Sequence, residues 1–358
     1  MKRLVMLCSM LFLLFITKSE GQSYQVIDLG TLLSGSYSYA TGINDNGQVV
    51  GYSTQTGGYT LGFLYSGGVM QSIGTLDGAY NSWAYGINDS GQVVGYADTG
   101  SGTSHAFLYS NNSMLDLGTL GGIASGATAI NDSGQIVGYS NLSNGTQHAF
   151  LYSNGLMLDL GTLGGDRSVA YGINSSGQVS GWSWTSGDGY QDAFLYSNGS
   201  MLNLGDLQQY GERPGSFAFG MNNSGQVVGI GDLNAFLYSN GSMQDLGTLY
   251  GGPRSAAQAI NNNGQVVGYS WIPGGASHAF LYSNSTMLDL NNLIGTNSDW
   301  TLETATGIND SGQIVCDGIS TSGQQDALLL NPITVPEPAT LVLVLCGIGL
   351  FLPRLRKR

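Results

Sequence analysis

Charge and cysteine are scarce in this chain. Only 9% of its 358 residues are Asp, Glu, Lys or Arg. Between residues 22 and 335 lysine is absent, and three cations, Arg167, Arg213 and Arg254, face 21 acidic residues, a net charge of −18. Without clustered Lys and Arg to neutralise phosphates, that body excludes nucleic acid and anionic lipid as partners. Neutral glycans and cations are favoured instead. Of the three cysteines, Cys8 and Cys346 lie in terminal apolar stretches, so Cys316 stands alone in the body and no disulfide can staple it. Cys316 reads as a buried, inert thiol. Also missing are a Gly-x-Ser-x-Gly elbow, His-Glu-x-x-His, a Cys-His pair and a phosphate loop, which argues against an enzyme. Low charge does not mean disorder, because 42% of the chain is hydrophobic. The 57 glycines, with Asn, Ser and Thr between short apolar runs, predict many short strands joined by tight turns.

The two ends are addresses. Residues 1–21 carry Lys2 and Arg3, an apolar run from Leu4 to Ile16, and small residues at Ser19 and Gly21, the pattern of a secretory signal peptide cleaved after Gly21. Cys8 falls inside the apolar core, too early for a lipoprotein box. Residues 333–358 hold Pro336-Glu337-Pro338, an apolar stretch to Leu352, and the basic residues Arg354, Arg356, Lys357 and Arg358. The 14 residues from Ala339 to Leu352 fall short of the roughly 20 of a full membrane helix, and the basic end would stay cytoplasmic. This three-part tail resembles the PEP-CTERM sorting signal. The resemblance implies an exosortase-type processing enzyme as partner, loss of the tail near Pro336 to Pro338, membrane contact only through the tail before processing, and a cell-surface or extracellular destination. A plain C-terminal anchor is the alternative.

Between the ends, residues 22–332 are repetitive. Gly-Ile-Asn and its variants begin at Gly42, Gly86, Ala129, Gly172, Gly220, Ala259 and Gly307, seven copies of about 44 residues each. The second copy shows the unit: Ala84 to Asn88, an Asp-Ser-Gly turn, Gln92 to Tyr96, His105 to Ser110, and Met114 to Leu120. These are four short strands, here a, b, c and d. Runs such as Gln-Val-Val-Gly-Tyr and Ala-Phe-Leu-Tyr are apolar or small on both faces, so each sheet needs cover on both sides. Four-stranded sheets stacked round an axis provide it. The array also begins with an orphan d strand, Tyr24 to Leu32, and ends without one after Thr301 to Ile308, Gly312 to Gly318 and Gln325 to Leu330. The expected fold is therefore an all-β, seven-bladed propeller of four-stranded blades, closed by the N-terminal strand so that neither edge stays open. A β-solenoid is the alternative.

The triplets at His105, His148 and His278, each His-Ala-Phe followed by Leu-Tyr-Ser, resemble the HAF-repeat family of extracellular bacterial proteins over nearly all of residues 24–331. Copies at Gly62-Phe63, Asp192, Asn234 and Asp326 depart at the His. The resemblance implies an address and an architecture, and no reaction.

Chemistry is harder to find. Equivalent His on different blades should lie too far apart to share a metal. The Asn-Asp-Ser-Gly turns carry one carboxylate each and lack calcium-loop spacing, so they read as turns, with a ring of Ca²⁺ sites as a minor option. Asp28, Asp116, Asp159, Asp245 and Asp289 recur in strand d as structural hydrogen-bonders. Glu212 and Glu303, in insertions, are candidates for a glycosidase carboxylate pair, though solvated loop residues are favoured.

The loops from d to a and from b to c share one face and vary in length, whereas those on the other face are uniform. Function favours variable loops on a rigid scaffold. Trp83, Trp184, Trp271 and Trp300 fall on or beside the variable face, with Tyr190 nearby, and flat aromatic faces over Asn, Ser and Gly suit sugar rings. The expected function is a non-catalytic surface or matrix protein that binds exopolysaccharide or another envelope component there. A glycan hydrolase or lyase, or a purely structural Ca²⁺-stabilised component, are the alternatives.

Overall fold

The computed structural model describes residues 22–187, 189–207 and 215–333. The signal segment, the sorting tail with Pro336, Glu337, Pro338, Arg354, Arg356, Lys357 and Arg358, and the loop holding Glu212 and Arg213 lie outside the described residues. Among the described residues no helix is long and apolar enough to cross a membrane.

The molecule is a β-propeller of antiparallel four-stranded sheets. The second unit is typical: strands a (Ser82–Ile87), b (Val93–Asp98), c (Ser104–Ser110) and d (Ser113–Asp116) pair in chain order. Positive φ at Asn154 and Gly155, as at Asn111 and Asn112, makes the tight c-to-d hairpin that Asn and Gly favour. Five units form separate four-stranded sheets, and two more are joined into one eight-stranded sheet through the parallel bridge Gln147–Arg167. The N-terminal strand Ser23–Asp28 pairs antiparallel with Gln325–Ile333, in the same sheet as Ile314–Ser320 and Trp300–Ile308. It ends at Asp28 rather than Leu32 because the Asp28 carboxylate accepts the Gly30 N–H and turns the chain.

Packing follows the repeat. Phe63, Phe107, Phe150, Phe194, Phe236 and Phe280 of the c strands are fully buried, with Leu328 in the seventh place. Each Phe contributes about 2–3 kcal/mol by leaving water. The next residue back is Gly or Ala because the neighbouring sheet sits on it. There a serine at the start of the following a strand staples the sheets: Ser82 Oγ accepts the Gly62 N–H and donates to the Gly74 carbonyl, as Ser168 does with Ala149 and Gly161. Ser38 makes the same two bonds to Ala327 and Gly30. The N-terminal strand therefore occupies the d position of the sheet formed by the end of the array.

The a strands surround an axis, each touching the next, and Ser38–Ile43 touches Trp300–Ile308. At the a-to-b turns the Asn side chain of Gly-Ile-Asn caps its own turn and reaches onward. Asn44 Oδ1 accepts the Gln48 N–H, and its Nδ2 donates to the Asn88 carbonyl. The onward bond recurs from Asn88 to Asn131, Asn174, Asn222, Asn261 and Asn309, and from Asn309 back to Asn44, at 2.9–3.4 Å.

Candidate functional site

Every a strand slips by one residue against its b strand at the same place, between Ala40 and Gly42 in the first unit and between Ala84 and Gly86 in the second. Such a bulge re-aims one side chain. The extra residues are Thr41, Tyr85, Thr128, Tyr171, Phe219, Gln258 and Thr306, and all seven line an axial chamber of about 720 Å³. Beyond them Ile43, Ile87, Ile130, Ile173, Met221, Ile260 and Ile308 form an apolar collar shared by the chamber and a second cavity of about 270 Å³ at the turn end. That smaller cup is ringed by the Asn turns and by Asp45, Asp89, Asp132 and Asp310. Its carboxylates cap backbone of the preceding unit: Asp89 Oδ1 accepts the Asp45 N–H, Asp132 the Asp89 N–H, and Asp45 the Asp310 N–H. Burial, then Asp310, Asp89 and Asp132, push the Asp45 carboxyl up against the lowering effect of the Asp310 N–H.

The chamber is not symmetric. Where the bulge holds Thr, the hydroxyl donates to its own b strand and to the next a strand, as Thr128 does to the Val137 and Ala170 carbonyls at 3.1 and 2.8 Å. Where it holds an aromatic ring, the ring enters the chamber. Tyr85, Tyr171 and Phe219 are joined by Tyr96 and Tyr139 from b strands. The rings continue toward the variable loop face as chains: Tyr37–Tyr39–Tyr52–Tyr85–Tyr96–Trp83 with centroids 4.8–6.5 Å apart, and Tyr171–Phe219–Phe217–Trp182 at 5.6–6.4 Å. Burial pushes the Tyr52 and Tyr139 hydroxyls up to about 12, so both stay protonated donors.

One unit breaks the pattern in concert. In the six others the b-strand glycine lies so close to strand a that a Cβ on Gly51 would sit 1.9 Å from the Tyr39 carbonyl oxygen. In the seventh, strand a carries a second register shift between Leu302 and Thr304, which inserts Glu303, and the glycine is replaced by the fully buried Cys316. The next residue, aromatic or Ile in the other units, is Asp317. Its carboxylate accepts the Ala40 N–H at 3.1 Å. Burial first, and then the charge of Glu303, push Asp317 up to about 8, with the Ala40 N–H opposing. Burial, and then the charge of Asp317, push the Tyr39 and Tyr52 hydroxyls up, with Glu303 adding to the effect on Tyr39. Glu303 thus has Asp317 beside it, whereas Glu212 lies outside the described residues.

Of the residues expected on the binding face, only Trp83 joins this axial set, 4.8 Å from Tyr96. Trp184 ends a b strand opposite Gln191, its Nε1 buried without a hydrogen-bond partner among the described residues. Tyr190 is exposed, and its carbonyl accepts the Thr185 N–H of the same hairpin. The Arg254 guanidinium covers the Trp271 ring at 3.8 Å. Trp300 packs against the core of the seventh unit. These four lie in three different units, and none of them lines the chamber. Reading the sequence missed the bulge residues and Asp317. Their signal was variation inside an otherwise constant string: Thr, Tyr, Phe or Gln before Gly-Ile-Asn, and Asp where Gln-Val-Val-Gly-Tyr has Tyr.

The repeated His and Asp are matched within each unit. His105, His148 and His278 bond through Nδ1 to Asp116, Asp159 and Asp289 at 2.7–2.9 Å. Where His is absent a bond can still span the same two positions: Asn203 donates to Asp192 with both residues exchanged, and Asn234 donates to the retained Asp245. Among the described residues no three His, Cys, Asp or Glu side chains converge as metal ligands.

No family model matches the sequence, and no curated protein does. Among solved structures the chain is similar to a Mycobacterium tuberculosis puromycin-hydrolyzing peptidase (TM-score 0.52, 12% identity, 87% of this chain and 58% of that one). It therefore spans somewhat over half of that peptidase's length. It is also similar to YCF48 bound to D1 peptide (TM-score 0.49, 11% identity, 89% and 98%). A third is the β-propeller domain of the trilobed protease from Pyrococcus furiosus, with an open velcro topology (TM-score 0.48, 8% identity, 87% and 99%). At such identities the likeness is one of fold alone.

Proposed function

We propose that the chain is an exported, closed seven-bladed propeller that binds a glycan of the cell envelope or exopolysaccharide in its axial chamber, without catalysis. Counting the eight-stranded sheet as two bridged blades gives seven. The Asn ring and the N-terminal strand beside Gln325–Ile333 support closure. Export and surface delivery rest on the signal-like leader and on the tail that resembles PEP-CTERM, which would make an exosortase-type enzyme the processing partner.

The carrying observation is the wall of Tyr85, Tyr96, Tyr139, Tyr171 and Phe219 round a chamber of about 720 Å³. That is within the range of small-ligand sites. The rings offer flat apolar faces to a pyranose, and the phenols offer hydrogen bonds to its hydroxyls. Glycan-array binding of the full-length chain, repeated with Tyr85→Ala plus Tyr171→Ala, tests it. Binding that survives the double substitution refutes the chamber as the site.

A hydrolase is the second reading, favoured by one observation: the register shift in the seventh unit inserts Glu303 next to the Thr304–Asp317 pair, and two neighbouring carboxyl groups, one of them raised by burial, are the equipment of glycoside hydrolysis. Reducing-sugar release from the producer's exopolysaccharide, abolished in Asp317→Asn, tests that reading.

A further inference from the structure

Building on the glycan reading, we infer that the axial chamber selects a neutral sugar bearing an acetamido group, as in a polymer of N-acetylated hexosamine, over charged sugars and plain hexoses. The chamber wall carries no charge. None of its lining residues is Asp, Glu, Lys, Arg or His, although the body around it has a net charge of −18. The phenols add none near neutral pH, since burial pushes the Tyr139 hydroxyl up to about 12. An ionised sugar entering the chamber gives up water and meets no counter-charge. A uronic acid or sulfated sugar must also approach through the field of an acidic body.

Much of the wall's polar capacity is already used. The Thr41, Thr128 and Thr306 hydroxyls donate to carbonyls of the neighbouring a strands at 2.8–2.9 Å. Gln258 differs. It is the bulge residue of the sixth unit, between Ala257 and Ala259, and the one side-chain amide in the chamber wall. Half-buried there, its amide makes no hydrogen bond among the described residues. A donor and an acceptor are therefore left for whatever fills the chamber.

The surroundings of Gln258 match an acetamido group part by part. Two residues on, Ile260 belongs to the apolar collar, with Met221 and Ile308 of the adjoining units beside it. In a ring of seven, the sixth unit faces the second and third, so Gln258 looks across the chamber toward Tyr85, Tyr96 and Tyr139. A pyranose stacked on those rings turns its substituents toward Gln258. The acetamido N–H or carbonyl then meets the amide, which can accept from the one or donate to the other, while the methyl group rests on the collar. A hexose with a hydroxyl at that carbon keeps the stack and loses the methyl contact and the amide pairing. A free amine loses the methyl contact and brings an uncompensated charge.

Calorimetric titration of the full-length chain with tetrasaccharides of N-acetylglucosamine, glucosamine and glucose, matched in linkage, tests the inference. The acetylated oligomer should bind about tenfold or more tightly than either of the others, the scale of one hydrogen bond and one buried methyl group. Gln258→Leu, which keeps the bulk and removes the amide, should bring the acetylated and glucose oligomers to within about threefold of each other. Gln71→Leu, at an exposed amide on a d strand, should leave the preference in place. The inference fails if the glucose or the glucosamine oligomer binds as tightly as the acetylated one in the wild type. It fails equally if the tenfold preference survives Gln258→Leu. If no oligomer binds, or if all three bind unchanged after Tyr85→Ala plus Tyr171→Ala, the glycan reading of the chamber falls and this inference falls with it. Urea unfolding of each variant separates loss of binding from loss of fold.

Discussion

Replacing Asp317 with Asn should stabilise the protein at neutral pH and remove part of its pH dependence. Burial lifts the folded-state pKa to about 8 from the ordinary Asp value of 3.8, so between roughly pH 4 and pH 8 the folded chain holds a proton that the unfolded chain has lost. For a carboxyl raised in this way, stability is fully present below the unfolded value and declines as pH rises through the folded one. At full strength the cost reaches about 4 kcal/mol at pH 7. Asp317 is not fully enclosed, and solvent screens part of the charge, so a gain of about 2–4 kcal/mol is expected for Asp317→Asn. Asn keeps the oxygen that accepts the Ala40 N–H, so the substitution removes the ionisation and leaves the bond. The assay is the urea midpoint of both proteins at pH 5 and pH 8. Other raised carboxyls, Asp45 and Asp326, are common to both proteins and cancel in the difference. The variant's advantage should be small at pH 5 and largest at pH 8. An advantage equal at both pH values, or a variant less stable at pH 8, would refute the account of Asp317 as a carboxyl buried without a counter-charge.

Gly268→Ala should abolish folding, because its Cβ would lie 2.0 Å from the Ala256 carbonyl oxygen, whereas Cys316→Ala, in the unit that makes room there, should cost about 1–2 kcal/mol; circular dichroism and urea melts separate them. Asn131→Ala removes the caps on Gln135 and the bond to the Asn174 carbonyl and should cost about 1–3 kcal/mol by urea denaturation. Tyr24→Ala empties a nearly fully buried place under the N-terminal strand and should cost about 3–5 kcal/mol; hydrogen exchange should show Gln325–Ile333 losing protection before the other c strands.

The four-strand unit was legible because its cues are local: alternating apolar runs, Asn-Gly turns and a fixed period. The orphan d strand was legible as well, since the Ser23–Asp28 string matches its siblings. The chamber was not, because a bulge is a relation between two strands and no single string announces it. Thr41 and Tyr85 differ in sequence by one substitution, yet one side chain is consumed in hydrogen bonds to its neighbours and the other is a wall. Trp271 reads in the sequence as a free aromatic face, whereas in the fold Arg254, 17 positions away, already lies on it. The Asp317–Glu303 pair, 14 positions apart in the sequence, comes together through the inserted residue in strand a.

The N-terminal strand has a consequence in time as well as in space. A ribosome delivers Ser23–Asp28 first, and its partner, Gln325–Ile333, nearly last. Throughout synthesis the earliest strand has no mate, while each later unit can form its own sheet as it emerges. The ring hydrogen bond from Asn309 to Asn44 must wait equally long. Completion is therefore a single late event joining residues some 300 apart, the slowest kind of contact for a chain to make. Any truncation after the sixth unit would leave Ser23–Asp28 without its partner strand.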